Sequence, residues 1–213
     1  RMSEIKKETF PVLGMSCASC AARVDKTLNG QPGVQEASVN YASATAQVIY
    51  DADACSPLLL KAAVQNAGYD LLVEGQEDAA DEAEKIHLAH YERLKKRTLG
   101  AIVLAVPIML LSMIWMQVQW VNYVVWLLAT VVLFVFGRSF FISAWKQGKH
   151  GTCNMDTLVA LSTGIAYIFS VFNLLYPEFW LKRGIEPHVY FEASSVIVAF
   201  ILLGRLLEER AKR

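Results

Sequence analysis

The sequence predicts an α+β domain of order βαββαβ followed by an all-α segment of four transmembrane helices. Three observations predict it. Strand-like and helix-like stretches alternate over residues 5–73. Four long apolar runs follow Thr98. The two halves also differ sharply in composition, although the chain as a whole is 54% apolar with a mean hydropathy of +0.33. A length of 213 residues allows one or two domains. The formal net charge is zero, so no basic footprint points to nucleic acid as a partner.

The first strand is read over Lys7 to Leu13 and ends at Gly14. Ala18 to Asn29 reads as a helix, with Ala22, Val24 and Leu28 apolar and Asn29-Gly30 as its stop. Val34 to Tyr41 and Ala44 to Tyr50 alternate apolar and polar residues and read as strands joined through Asn40 to Ser43. Ser56-Pro57 opens a second helix with a cap and a first-turn proline, and Gly68 closes it. Tyr69 to Val73 is a short last strand. This order is the split βαβ, or ferredoxin-like, arrangement.

Residues 74–97 begin acidic (Glu74, Glu77, Asp78, Asp81, Glu82, Glu84) and end basic (Arg93, Lys95, Lys96, Arg97). That polarity suits a helix with its dipole satisfied at both ends. Two readings fit: a solvated tether, or a helix running directly into the membrane. Apolar spans are read near residues 98–116, 121–142, 157–176 and 189–207. The first has no charge, and at ~1.5 Å per residue it covers nearly the whole ~30 Å hydrocarbon core. The second is interrupted at Gly137-Arg138, and the fourth holds Glu192 and Arg205. Lys95, Lys96 and Arg97 precede the first span, Lys146 and Lys149 lie between the second and third, and Arg210, Lys212 and Arg213 follow the fourth. Only Lys182 and Arg183 fall in an external loop. The positive-inside rule therefore predicts a multi-pass protein with both ends cytosolic. Residues 1–10 are polar and show no secretory signal, which agrees with a cytosolic first domain.

The chemistry concentrates in Gly14-Met15-Ser16-Cys17-Ala18-Ser19-Cys20. Two sulfurs on one short loop hold a metal in near-linear two-coordination, which suits Cu(I), the ion that soft thiolates select. Structural zinc needs four ligands, and no second Cys-x-x-Cys or His pair is available in this domain. The loop precedes the Ala18–Asn29 helix, whose N-terminal dipole lowers thiol pKa values. Met15 is expected to tuck into the core and Tyr69 to lie beside the site. A redox Cys-x-x-Cys is the rival reading, but the aromatic and proline residues usual in that motif are absent. Cys55 and Cys153 read as incidental. His87 and His90, at helical spacing, read either as a weak metal pair or as part of a solvated face.

The first domain resembles the heavy-metal-associated domain of copper chaperones and copper pumps. The residues that carry the resemblance are the Cys17–Cys20 loop, Arg23-Val24, Pro32-Gly33-Val34, Val39-Asn40 and Ala67-Gly68-Tyr69. The later part is similar to the first half of copper-transporting heavy-metal P-type ATPases. Its carrying residues are Asn154 to Leu161, Tyr190-Phe191-Glu192-Ala193 and Leu202 to Glu208. The resemblance implies that the spans are two family-specific helices plus the first two transport helices. It also implies a kinked second helix giving an amphipathic cytosolic platform at Ser139 to Lys149, with Arg138, Lys146 and Lys149 presenting positive charge. The family's kink lies at Gly-Gly, whereas this chain has Phe136-Gly137.

The family pattern gives an intake role to the residues matching Met155 and Glu208 and an exit role to the one matching Glu192. Physical reading agrees. Carboxylates at the ends of an apolar helix are costly and functional by default, and Glu192 and Glu208 stand ~24 Å apart along one helix. Glu208 also reads as a helix-end charge beside Arg210, Met155 as core filler, and Glu192 as an interfacial carboxylate facing water. The implied cargo is Cu(I), and the implied partners are a cytosolic copper chaperone, the lipid bilayer of a cell membrane and downstream ATPase domains that use Mg-ATP. Cys-Pro-Cys, Thr-Gly-Glu and Asp-Lys-Thr-Gly are absent. The chain is therefore expected to be an N-terminal portion of a pump, with no catalytic residues and no ATPase activity of its own. Two alternatives stay open: a mercury- or zinc-type relative, and a free-standing membrane-anchored metal-binding protein.

Overall fold

The computed structural model describes residues 4–73, 76–115 and 117–212. Glu74, Met116 and Arg213, and the side chains of Glu77, Asp78 and Glu82, lie outside them. The chain divides into two compact units, chiefly Arg1–His90 and Tyr91–Ala211, so the division falls inside the charged segment 74–97.

In the first unit the elements run β1 (Ile5–Leu13), α1 (Ala18–Asn29), β2 (Val34–Asn40), β3 (Thr45–Asp51), α2 (Pro57–Asn66) and β4 (Asp70–Leu71). The sheet order is β2-β3-β1-β4, with each neighbouring pair antiparallel. This is the ferredoxin-like arrangement. Period-2 alternation puts Ala46, Val48 and Tyr50 of β3 inward. They meet Val24 and Leu28 of α1 and Leu60 and Val64 of α2 in one core. Burying a side chain such as Leu28 or Leu60 contributes about 1.5–3 kcal/mol. The β2–β3 hairpin closes through Asn40, whose Oδ1 accepts from the backbone of Ala42 and Ser43 at 2.9 and 3.2 Å. Ser56 caps α2 by accepting from the Leu59 backbone at 3.4 Å. Gly33 has φ +84, and a Cβ there would stand 2.9 Å from the Ala54 Cβ and 3.0 Å from the Cys55 Cβ. Cys55 is buried in this core, which gives it a packing role.

Helix α3 runs without interruption over Gln76–Ile114, so the charged segment is helical and continuous with the first apolar run. The later elements are α4 (Gln119–Val131), a π-helical turn (Val132–Phe136), α5 (Arg138–Lys149), α6 (Met155–Leu175), the short α7 (Pro177–Leu181) and α8 (Phe191–Ala211). Among the described residues three helices are long and apolar enough to cross a membrane: Ala83–Ile114, Gln119–Phe136 and Met155–Leu175, with mean hydropathies of 2.0, 1.8 and 1.9. Only 22, 28 and 33% of these apolar stretches are buried inside the protein. Their outward apolar faces, including Leu127, Leu158 and Ile168, suit lipid or further helices, not water. The chain is a membrane protein. The fourth expected span falls on α8, which is not among these three and holds Glu192, Arg205, Glu208, Glu209 and Arg210 within its 21 residues. It is too charged to qualify on composition.

The second apolar run, expected over residues 121–142, widens its hydrogen-bond register at the π turn. Gly137 N–H bonds to the Val132 carbonyl at 2.9 Å, and residues 138–142 belong to α5. Phe136, just before Gly137, packs across the bundle. The Phe136 ring lies over Gly100 of α3 so closely that a Cβ at Gly100 would come within 2.3–2.5 Å of it. A Cβ at Gly137 would meet the Leu133 carbonyl oxygen at 2.7 Å. Polar contacts join the other helices. Tyr167 of α6 receives the Trp126 indole N–H at 3.0 Å and shares a 2.7 Å hydrogen bond with Thr130, both on α4. Thr98 of α3 donates to the Leu202 carbonyl of α8 at 3.3 Å.

Gly100→Ala is therefore expected to destabilise the helical unit by about 1–3 kcal/mol, the usual cost of overpacking. Adding Phe136→Ala should recover part of that loss. Thermal unfolding in detergent checks both, and a neutral Gly100→Ala would show that the Phe136 ring is not seated there.

Candidate metal centre

Cys17 is the N-cap of α1, in extended conformation (φ −162, ψ 162), and its carbonyl accepts from Cys20 N–H at 3.0 Å and Ala21 N–H at 3.3 Å. The helix start thus presents the Cys17 sulfur outward, half-buried, while Cys20 sits one turn in and is buried. Gly14, at φ +88, turns β1 into this loop, and a Cβ there would stand 3.9 Å from Tyr69. Met15 packs against the domain core, and Tyr69 lies beside the loop as expected. Both thiols are free. Ser19 Oγ lies 3.1 Å from Cys17 Sγ, and Ser16 Oγ 3.8 Å from Cys20 Sγ.

The two thiols differ electrostatically, which corrects the expectation that the helix dipole lowers both. Burial pushes Cys17 up, and its hydrogen bond with Cys20 adds to the rise. Burial opposes ionisation of Cys20 too, but hydrogen bonds from Cys17, Tyr69 and the Ser16 backbone outweigh it and bring Cys20 down. Cys20 is thus the more readily ionised of the two thiols, and the hydrogen bond from Cys17 favours its charged form. Among the described residues no group of three or more His, Cys, Asp or Glu side chains could hold a metal. His87 and His90 belong to no such group, and Cys153 is exposed.

The membrane residues are arranged by α6 and α8. Asn154 starts α6 with a capping box: its Oδ1 accepts from Thr157 N–H at 3.0 Å, and Thr157 Oγ1 accepts from Asn154 N–H at 3.3 Å. Met155 is therefore the first residue of α6, 41% exposed at the helix mouth. Three contacts make α8 antiparallel to α6. Ser170 Oγ accepts from Tyr190 N–H at 2.7 Å, Ser194 Oγ donates to the Thr163 carbonyl at 3.4 Å, and Arg205 pairs with Asp156. Glu208, exposed one turn beyond Arg205, shares an end of the bundle with Met155. Glu192 lies at the opposite end. There Asn173 receives the Trp180 indole N–H at 2.8 Å and donates to the His188 carbonyl at 2.6 Å. On α5, Phe140 is buried, whereas Arg138, Lys146 and Lys149 are exposed, with the Lys149 ammonium 5.8 Å from the Trp145 ring.

Sequence reasoning missed the Asp156–Arg205 ion pair. The available signal was two opposite charges, one at the edge of an apolar stretch and one inside another, which in a membrane pair with one another.

Residues 9–70 match the heavy-metal-associated domain. Over 98% of its length the chain is 37% identical to a probable copper-transporting ATPase, PacS, of Synechococcus elongatus, covering 29% of that protein. It is 36% identical over 94% of its length to a copper-exporting P-type ATPase of Staphylococcus saprophyticus, covering 25% of that protein. The chain thus spans between a quarter and a third of these curated relatives. Among solved structures, the N-terminal domain of a potential copper-translocating P-type ATPase from Bacillus subtilis, in the Cu(I)-loaded state, is 42% identical. That match covers 34% of this chain and 90% of the other, with a TM-score of 0.32. The chain therefore carries a heavy-metal-associated domain and is similar along nearly all of its length to a part of copper-transporting P-type ATPases.

Proposed function

We propose that this chain is the metal-receiving and intake part of a Cu(I)-exporting P-type ATPase. The observation that carries the reading is the pair of hydrogen-bonded thiols at the start of α1, with no further ligand cluster among the described residues. Two thiolates satisfy Cu(I) and leave Zn(II) short of its tetrahedral set. A half-exposed Cys17 is open to a donor, and Cys20, the thiol that ionises more readily, makes the first bond. Cu(I) binding then expels the Cys17 proton.

From there Cu(I) passes to Met155 and Glu208 at the cytosolic mouth and leaves past Glu192 on the far side. Both ends of the chain lie in the cytosol, α8 acts as a fourth span, and downstream domains using Mg-ATP supply the work. Arg138, Lys146 and Lys149, raised on a helix anchored by Phe140, form the docking surface for an acidic copper chaperone. Attraction of that kind is screened over ~10 Å in 0.1 M salt.

The chain is expected to bind one Cu(I) tightly in preference to Zn(II), and Cys17→Ser/Cys20→Ser to lose that binding, by competition titration against a Cu(I) chelator. Retained tight binding in the double variant would overturn the assignment. In the metal-free protein, thiolate ultraviolet absorbance should appear first below the ordinary thiol pKa. In Cys20→Ser the remaining thiol should ionise at higher pH than the first step of the wild type, because Cys20 is the depressed group. In the full-length protein, Met155→Ala and Glu208→Ala should each lower copper-activated turnover on the order of tenfold, equivalent to ~1.4 kcal/mol. Cu(I) binding at Cys17 and Cys20 should be unchanged. Glu192→Ala should slow release instead. Wild-type turnover in both Met155→Ala and Glu208→Ala would remove them from the pathway.

A further inference from the structure

The Asp156–Arg205 pair joins three elements. Asp156 is the second residue of α6 and is 3% exposed. Arg205 lies in the last two turns of α8, with its guanidinium carbon 4.9 Å from the centre of the buried Phe140 ring on α5. The charged groups of Asp156 and Arg205 are in direct contact. Met155 is the immediate neighbour of Asp156, and Glu208 stands one helical turn beyond Arg205.

The pair is poorly built for stability. Arg205 Nε is buried and has no hydrogen-bond partner. A buried ion pair offsets its own desolvation only when its remaining donors are satisfied, so this one contributes little net stability. Its effect is geometric. A lone Asp156 carboxylate or a lone Arg205 would be an uncompensated charge among apolar side chains, so the two helices are held at the separation where the charges meet. The other anchors of α8 stand further from this mouth: Tyr190 on Ser170, Ser194 on Thr163, and Thr98 on the Leu202 carbonyl. Beyond Leu202, Leu206 packs against the core of the helical unit, and Arg205 carries the ion pair that ties this end of α8 to α6. The α6 side is fixed independently by the Asn154–Thr157 capping box.

We propose that Asp156 and Arg205 are positioning residues: a latch, seated on Phe140, that sets the distance between the start of α6 and the end of α8 and so the gap between Met155 and Glu208. The functional meaning of that gap rests on the intake reading above. The latch itself is tested without copper. The full chain, carrying Cys17→Ser, Cys20→Ser and Cys55→Ala, is placed in lipid nanodiscs with spin labels at the native, exposed Cys153 and at Ala211→Cys. Distances are read by dipolar electron paramagnetic resonance. A second label pair, Leu175→Cys with His188→Cys and Cys153 replaced by Ser, reports the opposite end.

A single narrow distance is expected for the latched chain, and a broader, longer one in Arg205→Met. Arg205→Lys keeps the opposite charge and should restore the narrow distance. Asp156→Asn/Arg205→Met, which leaves no unpaired charge, should stay broad and remain folded by circular dichroism. The opposite-end distance should be unchanged throughout. A narrow distance in Arg205→Met or in the double variant overturns the latch, as does a Lys variant as broad as Met, or broadening at both ends. Failure of the intake reading shows instead as wild-type turnover in the Met155 and Glu208 variants, whatever the spin distances report.

Discussion

The helical unit depends on one constraint: hydrocarbon offers no hydrophobic force between apolar helices, because lipid tails solvate leucine as well as another helix does. Helix register must come from close packing and from the few polar groups present. Here those groups are sparse and spread along α6 and α8: Tyr190 with Ser170 at one end, Ser194 with Thr163 in the middle, Asp156 with Arg205 at the other. Each links two residues whose alternative partner would be hydrocarbon. Thr98 bonding to Leu202 brings in α3, and Tyr167 brings in α4. Close packing supplies the rest, most visibly where Phe136 occupies the space that Gly100 leaves open.

The water-facing unit obeys the opposite rule. Its sheet and two helices are assembled by apolar burial, and the polar groups can be left for function. The loop from Gly14 to Cys20 shows this. Met15 contributes to the core, Cys20 is buried at its edge, and Cys17 occupies a cap position that most helices fill with an oxygen side chain. Placing a thiol there forgoes a side-chain cap, since Cys17 makes no capping hydrogen bond. What the position provides is a sulfur at the positive end of a helix, next to a second sulfur already lowered in pKa.

Much of this was legible in the sequence, and the reasons differ by element. Strand alternation, the Asn29-Gly30 stop and the Ser56-Pro57 start are local signals, so α1 and α2 begin where composition indicates. The Cys17–Cys20 loop was legible because its chemistry depends on spacing within four residues. The thiol pKa values were not. The helix dipole acts on both sulfurs, but burial and the hydrogen bond between them separate the two, and neither can be read along the chain. The fate of the second apolar run was obscured by Phe136, since its match to Gly100 links positions 36 residues apart. The Asp156–Arg205 pair was hidden for the same reason: it requires knowing that α6 and α8 are antiparallel and in this register. The charges that keep α8 from reading as an ordinary span are those that set its register and mark its ends.

On the reading proposed above, the two regions also differ in how firmly they would hold a soft ion, and the direction of that difference matters. Two thiolates bind Cu(I) strongly, whereas a thioether and a carboxylate form a weak, open pair. An ion moves from the first to the second only if something other than intrinsic affinity drives it, because conduction requires sites weak enough to be vacated. A weak site tolerates little error in geometry: with only two modest ligands, a small increase in their separation leaves one of them unable to bind. That is the physical reason for a rigid frame around Met155 and Glu208. The capping box at Asn154 fixes one side in its backbone. Arg205, in contact with Asp156 and resting on Phe140, fixes the other. The same frame ties the seat of the basic helix α5 to the mouth, since Phe140 belongs to α5.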